Sequence, residues 1–263
     1  MKMLLADLDE LAERQLADYD AHCPGLIFEA GSAFLTVPQA YALQIQVARL
    51  RMNRGESLAG YKVGCVSEAV RRQLGLRQPV FGHVFSTEVY GTGTVLDPTR
   101  FDALAVEGEF AIRIGQDVPG REWLQKHPGR AIDSIFVVIE LHNYVFRSDP
   151  PTAQELIANN ALHAGVVLPE KDGPIKSPDK LMDEQFSIFQ NGRLLGTSTA
   201  RHLPGGPIAS SLELAGHLES LGMHLKQGQI ILTGSPLPLY RVFSGDRIEV
   251  RCQRLSTVEV SIK

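Results

Sequence analysis

Three acidic residues and one lysine are the side chains of this sequence best placed to do chemistry. In "VEGEFAIRI", Glu107 and Glu109 stand two apart in a segment that alternates like a β-strand. Strand residues two apart point to one side with Cα atoms about 7 Å apart, so both carboxylates share a face, with Val106, Phe110 and Ile112 on the other. A polar strand face in water is the commoner reason for such a pair, taken alone. Glu140 is a different case. It ends "SIFVVIE", a strand apolar on both faces and so expected to be covered on both. An ionised carboxylate there needs a base such as Arg147 or a bound cation, unless the strand emerges into solvent at that point. Three carboxylates brought together make an all-oxygen, charge-rich site of the kind that suits Mg²⁺ or Mn²⁺, with waters or substrate oxygens completing the shell.

Lys62 is the next candidate. In "GYKVG" it shares a strand face with Gly60 and Gly64. Their missing side chains would leave space above the lysine for a ligand, unless the glycines mark a bulge or bend. "ILTGSPLPLY" ends an apolar strand in a Gly-Ser-Pro turn, which offers backbone N–H groups and the Ser235 hydroxyl to an anion, although most such turns merely reverse the chain. The histidines form no HxH or HExxH pair; His142, two residues beyond Glu140, could support the carboxylates from behind, although a structural histidine is the plainer reading. The chain contains no GxSxG elbow, GxGxxG loop or Walker loop, which argues against an α/β-type serine hydrolase and against dinucleotide or P-loop nucleotide binding.

The elements that must position these groups follow from periodicity. Leu4, Leu8, Leu11 and Leu16 recur at roughly helical spacing over residues 3–20, giving an amphipathic helix. After a Pro24-Gly25 loop, a second helix starts with Thr36 as N-cap and Pro38 in its first turn and stops near Gly55. These helices make an N-terminal segment of residues 1–55. From 56 to 263 strands dominate: "SLAGYKVGCV", "VEGEFAIRI", "SIFVVIELH", a hairpin turning at Asn191-Gly192, "GQIILTGS" and two closing strands. Helices are expected at "SEAVRRQLGL", capped by Ser67, and at "SSLELAGHLESLGMH", stopped by Gly222. Irregularly inserted helices imply an α+β fold, a mixed, largely antiparallel β-roll or barrel with peripheral helices rather than a doubly wound sheet. A net charge of −4 gives no reason to expect nucleic acid or an anionic membrane as partner, and no apolar stretch is long enough to span a bilayer. Cys23, Cys65 and Cys252, an odd number without CxxC spacing, speak against a disulfide framework and for a reducing cytoplasm.

"GYKVGC", "QPVFGHVFSTEVYGTG", "VEGEFAIRI", "FVVIELHNYVFR", "NNALHAGVVL" and "GQIILTGSPLPLYRVFSGDRIEV", in this order, resemble the hydratase/decarboxylase branch of the fumarylacetoacetate hydrolase superfamily. The resemblance implies a β-roll core, a Mg²⁺ or Mn²⁺ ion held by Glu107, Glu109 and Glu140, an active-site lysine at Lys62, and a homo-oligomer, in some cases complexed with a homologous decarboxylase or hydratase. It also implies a 2-oxo acid substrate and a place in the breakdown of aromatic compounds. The expected reaction is hydration of a 2-hydroxy-2,4-dienoate or 2-oxo-4-enoate to a 4-hydroxy-2-oxo acid through an enolate. Decarboxylation of a 2-oxo-enedioate and C–C hydrolysis of an acylpyruvate are the alternatives. Two positions depart from the family pattern. Asn159-Asn160 stands where an Asp-Asn pair is usual, and an amide cannot act as a general base. The Gly-Ser-Pro turn is closer to the turn of the family's C–C hydrolases. On this basis Asn159 and Asn160 would orient substrate or water, His163 would be the nearest candidate if a base is needed, Ser235 would donate to a substrate oxygen, and Arg201 or Arg241 would hold a second carboxylate if the substrate is a diacid. A catalytically weakened subunit partnering an active homologue is the reading outside enzymology. Asn159 favours it, while the retained carboxylates and lysine oppose it.

Overall fold

The protein is described here by a computed structural model covering residues 5–31, 35–171, 173 and 181–263. Leu4 lies outside the described residues. Among the described residues thirteen strands build two sheets. In chain order they are β1 Leu58–Gly64, β2 Val80–Phe85, β3 Val89–Gly91, β4 Val95–Leu96, β5 Leu104–Ile114, β6 Ile132–Asn143, β7 His163–Leu168, β8 Gln185–Gln190, β9 Arg193–Thr199, β10 Ile230–Leu232, β11 Tyr240–Arg241, β12 Arg247–Cys252 and β13 Val258–Ile262. The larger sheet runs β2-β1-β10-β5-β6-β7-β3, with β11 added to β5, and the smaller runs β4-β13-β12-β8-β9. Pairings β1–β10, β13–β4 and β3–β7 are parallel and the rest are antiparallel. The architecture is therefore the mixed, mostly antiparallel β-roll expected from the strand-rich pattern.

Seven helices surround the sheets among the described residues: α1 Leu5–Asp20, α2 Val37–Asn53, α3 Glu68–Gln73, α4 Arg121–Lys126, α5 Pro128–Ala131, α6 Ala153–Ala158 and α7 Gly206–Ser220. Thr36 caps α2 through a reciprocal box with Gln39, each side chain bonding the other residue's backbone N–H. Ser67 precedes α3 but makes no side-chain cap bond. Helix α7 starts a turn earlier than its apolar pattern implies, because Pro207 sits in the first turn, where its fixed φ and missing N–H cost nothing. The β8–β9 hairpin turns at Asn191 and Gly192, both at positive φ (54° and 78°), as a tight two-residue turn requires. Cys23, Cys65 and Cys252 are free thiols, and no helix among the described residues is long and apolar enough to cross a membrane.

The two faces of the large sheet bury different things. One packs on the small sheet, where Phe110 meets Phe186 edge-to-face at 5.1 Å and Val106, Ile112, Val137 and Ile139 are fully buried. The other carries a smaller apolar cluster of Val84, Ala111, Phe136, Val138, Val166, Ile230 and Leu232. The acidic residues lie on this second face.

Candidate active site

Strands β5 and β6 pair so that Glu107 stands opposite Glu140, Glu109 opposite Val138, and Ala105 opposite His142. Opposed residues in an antiparallel ladder share a face, so Glu107, Glu109, Glu140 and His142 all project to the same side. Gly108, between the two glutamates, points the other way. A Cβ there would come within 3.0 Å of Val250 and 3.1 Å of Phe186 on the facing sheet. The glycine thus admits close packing behind the strand while its neighbours carry the charge in front. Glu109 and Glu140 are fully buried, and the Glu107 side chain is 21% exposed.

Lys62 reaches the same face from β1, which pairs in parallel with β10 and through it with β5. The glycines beside it differ: a ladder irregularity falls between Leu58 and Gly60, as the bulge alternative expects, while Gly64 joins Lys62 in the wall of an open cavity. The space a Cβ would take at Gly60 is filled by the Ile230 backbone, and at Gly64 the Lys62 ammonium itself lies 3.0 Å from that position. Gly82, across the ladder, makes room for the Lys62 stem and the Asn160 carbonyl. The ammonium, 3% exposed as a residue, donates to the Ala161 carbonyl at 3.2 Å and lies 3.3 Å from Glu140 Oε1. That carbonyl comes from an unusual turn. Asn160, Ala161 and Leu162 all have positive φ, 55°, 52° and 60°. Left-handed backbone costs an L-residue other than glycine roughly 1–2 kcal/mol, so three in succession need support. Asn160 supplies part of it. Its amide accepts from the His83 N–H at 2.7 Å and donates to the His83 carbonyl at 2.8 Å, bonding β2 as a neighbouring strand would.

Glu140 is neither exposed nor paired with Arg147, whose guanidinium goes to Asp102. Its Oε1 accepts from His163 Nδ1 at 2.7 Å and faces Lys62. Burial pushes its carboxyl upward, but Lys62 and the neighbouring histidines outweigh that and hold it well below the usual range. Burial alone would lower Lys62. Instead the attraction of Glu140, Glu109 and Glu107 raises it, so the ammonium stays charged. Glu109 is driven the other way, well above the usual range, by burial and by repulsion from Glu140 and Glu107. Its Oε2 accepts from the Gly234 N–H at 2.8 Å.

Glu109 Oε1, Glu140 Oε2 and His142 Nε2 are buried and have no hydrogen-bond partner. His142 Nε2 lies 3.2 Å from Glu107 Oε2 and 3.6 Å from Glu140 Oε2, close enough for an ion pair but without an aligned bond. One ligand atom each from Glu107, Glu140 and His142 fall within 4.8 Å of one another. Buried polar atoms are normally satisfied, so this collection of acceptors with too few donors fits a hard divalent cation. His142 is therefore part of the cluster, not the detached structural histidine its sequence context suggested. Its even spacing from Glu140 on one strand was the signal for the shared face.

A cavity of about 680 Å³ opens onto the cluster, with Lys62, Glu107, His142, Gly234 and Ser235 in its wall. Other expected site residues have different work. Ser235 Oγ donates to the Gly108 carbonyl at 3.0 Å and accepts from the Leu237 N–H at 3.1 Å, so its proton braces the turn against β5. Asn159 caps α6 and turns away from the cavity, with Gln15 donating to its side chain and Tyr19 to its carbonyl. His163 is fully buried with its Nδ1–H on Glu140, a positioning contact rather than a base facing the cavity. Asn160 is spent on His83. Arg201 is exposed and pairs with Asp183 at 2.6 Å, while its neighbour His202 lines the cavity instead. Arg241 is exposed and donates to the Tyr144 carbonyl at 3.1 Å.

No family model matches the chain. Among curated proteins it is similar to a 2-keto-4-pentenoate hydratase of Burkholderia vietnamiensis, 27% identical over 248 residues that cover 94% of this chain and 91% of the relative. It is also similar to a 4-oxalocrotonate decarboxylase of Pseudomonas putida, 24% identical over 224 residues, covering 85% and 84%. Among solved structures, 4-oxalocrotonate decarboxylase from Pseudomonas putida G7, complexed with magnesium and adipate, superposes with a TM-score of 0.88 over 100% of this chain and 99% of that one at 22% identity. The shared feature is the fold along its whole length.

Proposed function

We infer, from a chain that belongs to the hydratase/decarboxylase branch of the fumarylacetoacetate hydrolase superfamily, that it is a lyase adding water to a 2-hydroxy-2,4-dienoate, in its 2-oxo-4-enoate form, to give a 4-hydroxy-2-oxo acid. The observation that carries this reading is the buried set of partnerless acceptors, Glu109 Oε1, Glu140 Oε2 and His142 Nε2, at a cavity that also holds a charged lysine. Glu107, Glu109 and Glu140 would hold Mg²⁺ or Mn²⁺. When bound, such an ion supplies a Lewis acid that stabilises negative charge on the oxygen at C2 of a 2-oxo acid.

The protein's own groups then have defined tasks. Lys62 has three donors; Ala161 takes one and Glu140 attracts a second, which leaves one for a substrate oxygen or for delivering a proton from Nζ. His163 and Lys62 fix Glu140 by one oxygen, so that the other stays aimed at the cluster. Gly234, through its N–H, does the same for Glu109. The strained turn at Asn160–Leu162 sets the height of the Lys62 ammonium. Decarboxylation of a 2-oxo-enedioate is the second reading, favoured by the whole-length likeness to the decarboxylase fold. The same proposal includes a homo-oligomer, supported by exposed Val95, Leu194 and Phe243 on or beside strands of the small sheet, and a cytoplasmic role in aromatic breakdown.

The test supplies Mg²⁺-loaded protein with 2-hydroxypentadienoate, 4-oxalocrotonate and an acylpyruvate. Loss of the dienol's ultraviolet absorbance without CO₂ or pyruvate release is the expected result. CO₂ release from the second compound as the dominant activity would replace hydration with decarboxylation, and silence on all three would leave the non-catalytic reading. Lys62→Met should retain the ion and lose turnover.

A further inference from the structure

The cavity in front of the carboxylates is larger than the reacting atoms require and apolar where they end. Building on the reading above, which puts the 2-oxo acid head at the carboxylates, we propose that the substrate is a monocarboxylic acid with an apolar alkyl or aryl tail, not a dicarboxylic one. The wall carries the first argument. Val66 just after β1, Val70 and Leu74 around α3, Phe146 after β6, Leu203 before α7 and Leu237 after β10 all line the same space. Surface of this kind gains free energy by covering hydrocarbon and offers a carboxylate nothing.

Size is the second argument. A five-carbon dienoate has eight non-hydrogen atoms, which at the water-sized volume of about 30 Å³ each occupy roughly 240 Å³. The cavity measures about 680 Å³. The remainder accommodates a tail.

Charge is the third. Among the described residues Lys62 is the sole lysine or arginine in the wall, and it already serves Glu140 and the Ala161 carbonyl. Arg71 bonds the carbonyls of Cys65 and Val66 at 3.2 and 2.6 Å, Arg147 pairs with Asp102, and Arg201 pairs with Asp183. Glu68, the acid at the exposed part of the wall, is paired with Arg72 at 2.5 Å, so that guanidinium is also engaged. A distal carboxylate would lose its water there and find no unengaged lysine or arginine, only the imidazole of His202, whose Nδ1 is taken by Ser198.

The experiment uses the full chain loaded with Mg²⁺ and two unreactive probes of equal length, 2-oxooctanoate and 2-oxooctanedioate, titrated by calorimetry. The monoacid should bind at least tenfold more tightly. Along the series from 2-oxopentanoate, each added methylene should tighten binding about fourfold until the cavity is full. Val70→Arg, at a position 40% exposed on α3, should narrow or reverse the preference by at least tenfold without touching the carboxylate cluster. Equal binding of the two probes, tighter binding of the diacid, or binding of neither overturns the proposal. Turnover is read separately with the matching tailed and carboxylated 2-hydroxydienoates. If tailed monoacids bind preferentially but no dienoate is hydrated, the hydratase reading fails and the substrate class stands. If dienoates are hydrated with the diacid favoured, the substrate class fails and the hydratase reading stands.

Discussion

Two buried charges, Arg51 and Glu140, are housed in different ways. Arg51 lies beside a hollow of about 380 Å³ lined by Tyr19, Glu56, Glu88 and Tyr90. Its guanidinium meets Glu56 at 2.6 Å and Glu88 at 2.7 Å and lies over the Phe85 ring, 3.9 Å from its centre. Thr87 donates to Glu56 at 2.7 Å, and no buried atom of these three charged side chains lacks a partner. Around Glu140 three carboxylates face one lysine and two histidines, and one oxygen each of Glu109 and Glu140 lacks an aligned hydrogen bond. Charge balance closed in one place and left open in the other is the pattern expected if the second place serves a ligand, as proposed above. Self-repulsion among the carboxylates is stability given up for an ion, as binding sites commonly require.

Substitutions at the two places should therefore act in opposite senses. Glu109→Gln replaces the carboxyl whose ionisation burial and its neighbours oppose most, while keeping the shape. It should leave the metal-free protein as stable as wild type or more so, and lower turnover by roughly 10³-fold, equivalent to about 4 kcal/mol. It should also abolish the rise in Tm that Mg²⁺ gives the wild type, about 2.7 kcal/mol of stability at a hundred times Kd. Arg51→Met leaves Glu88 without its cation and Glu56 with Arg54 alone, and should cost about 3–5 kcal/mol with or without Mg²⁺. Thermal and urea unfolding, each with and without the ion, measure both. A Glu109→Gln protein that loses as much metal-free stability as Arg51→Met would erase the distinction.

A third kind of buried titratable group, held neutral, sharpens the contrast through pH. His83 and His217 are both pushed down to about 4, chiefly by burial, with Arg51 adding to His83 and the two rings disfavouring charge on each other at the His83 end. Tyr41, Tyr61 and Phe81 enclose them, with the His217 and Phe81 ring centres 4.5 Å apart. Below about 6.5 the unfolded chain takes up protons that these folded rings refuse, so stability falls as pH drops from 6.5 to 4 and this contribution levels off below 4. Glu56 works in a lower window. Burial opposes its ionisation, but Arg51 and Thr87 prevail and hold it at about 2, so its stabilisation is present above 4.5 and disappears between 4.5 and 2. His217→Leu should flatten the upper window by about 1–3 kcal/mol and leave the lower one unchanged, as read from urea midpoints across pH. An unaltered slope between pH 4 and 6.5 would assign the acid loss elsewhere.

What the sequence revealed of this site tracks how local each cause is. Alternation placed Glu107 and Glu109 on one face, and the apolar run before Glu140 marked a buried carboxylate, because both patterns are written in consecutive residues. The runs that became β2 and β7 escaped notice since strands covered on both faces do not alternate. The Lys62–Glu140 pair depends on strand order β1-β10-β5-β6, which no short window contains. The left-handed turn has no local warning in Ala161 and Leu162, whose side chains ordinarily avoid that backbone. Asn159 was assigned to substrate by its place along the chain, yet its partner Gln15 lies 144 positions away and pulls it to the helical side. Ser235 has an acceptor, Gly108, that only the β5–β10 neighbourhood brings near.

The finest test of how the open cluster is positioned lies behind it, at Gly108. The φ there is not positive, so alanine meets no backbone objection, and stiffening the unfolded chain would by itself stabilise by about 0.4–1 kcal/mol. Opposing this, the added methyl would sit 3.0 Å from Val250 Cγ2 and 3.1 Å from Phe186 Cε2, in a core where both partners are fully buried. Overpacking of that kind costs about 1–3 kcal/mol, so Gly108→Ala should lose about 1 kcal/mol net. Relief by tilting β5 would displace Glu107 and Glu109 together, and Mg²⁺ affinity should fall with stability. Val250→Ala alone opens a void, but in the double variant the two changes complement each other. Both stability and Mg²⁺ affinity should then exceed the sum of the single effects. Strict additivity would mean that Gly108 serves the strand in some way other than by admitting Val250 and Phe186, and that the carboxylates are not held in place by the packing on the opposite face.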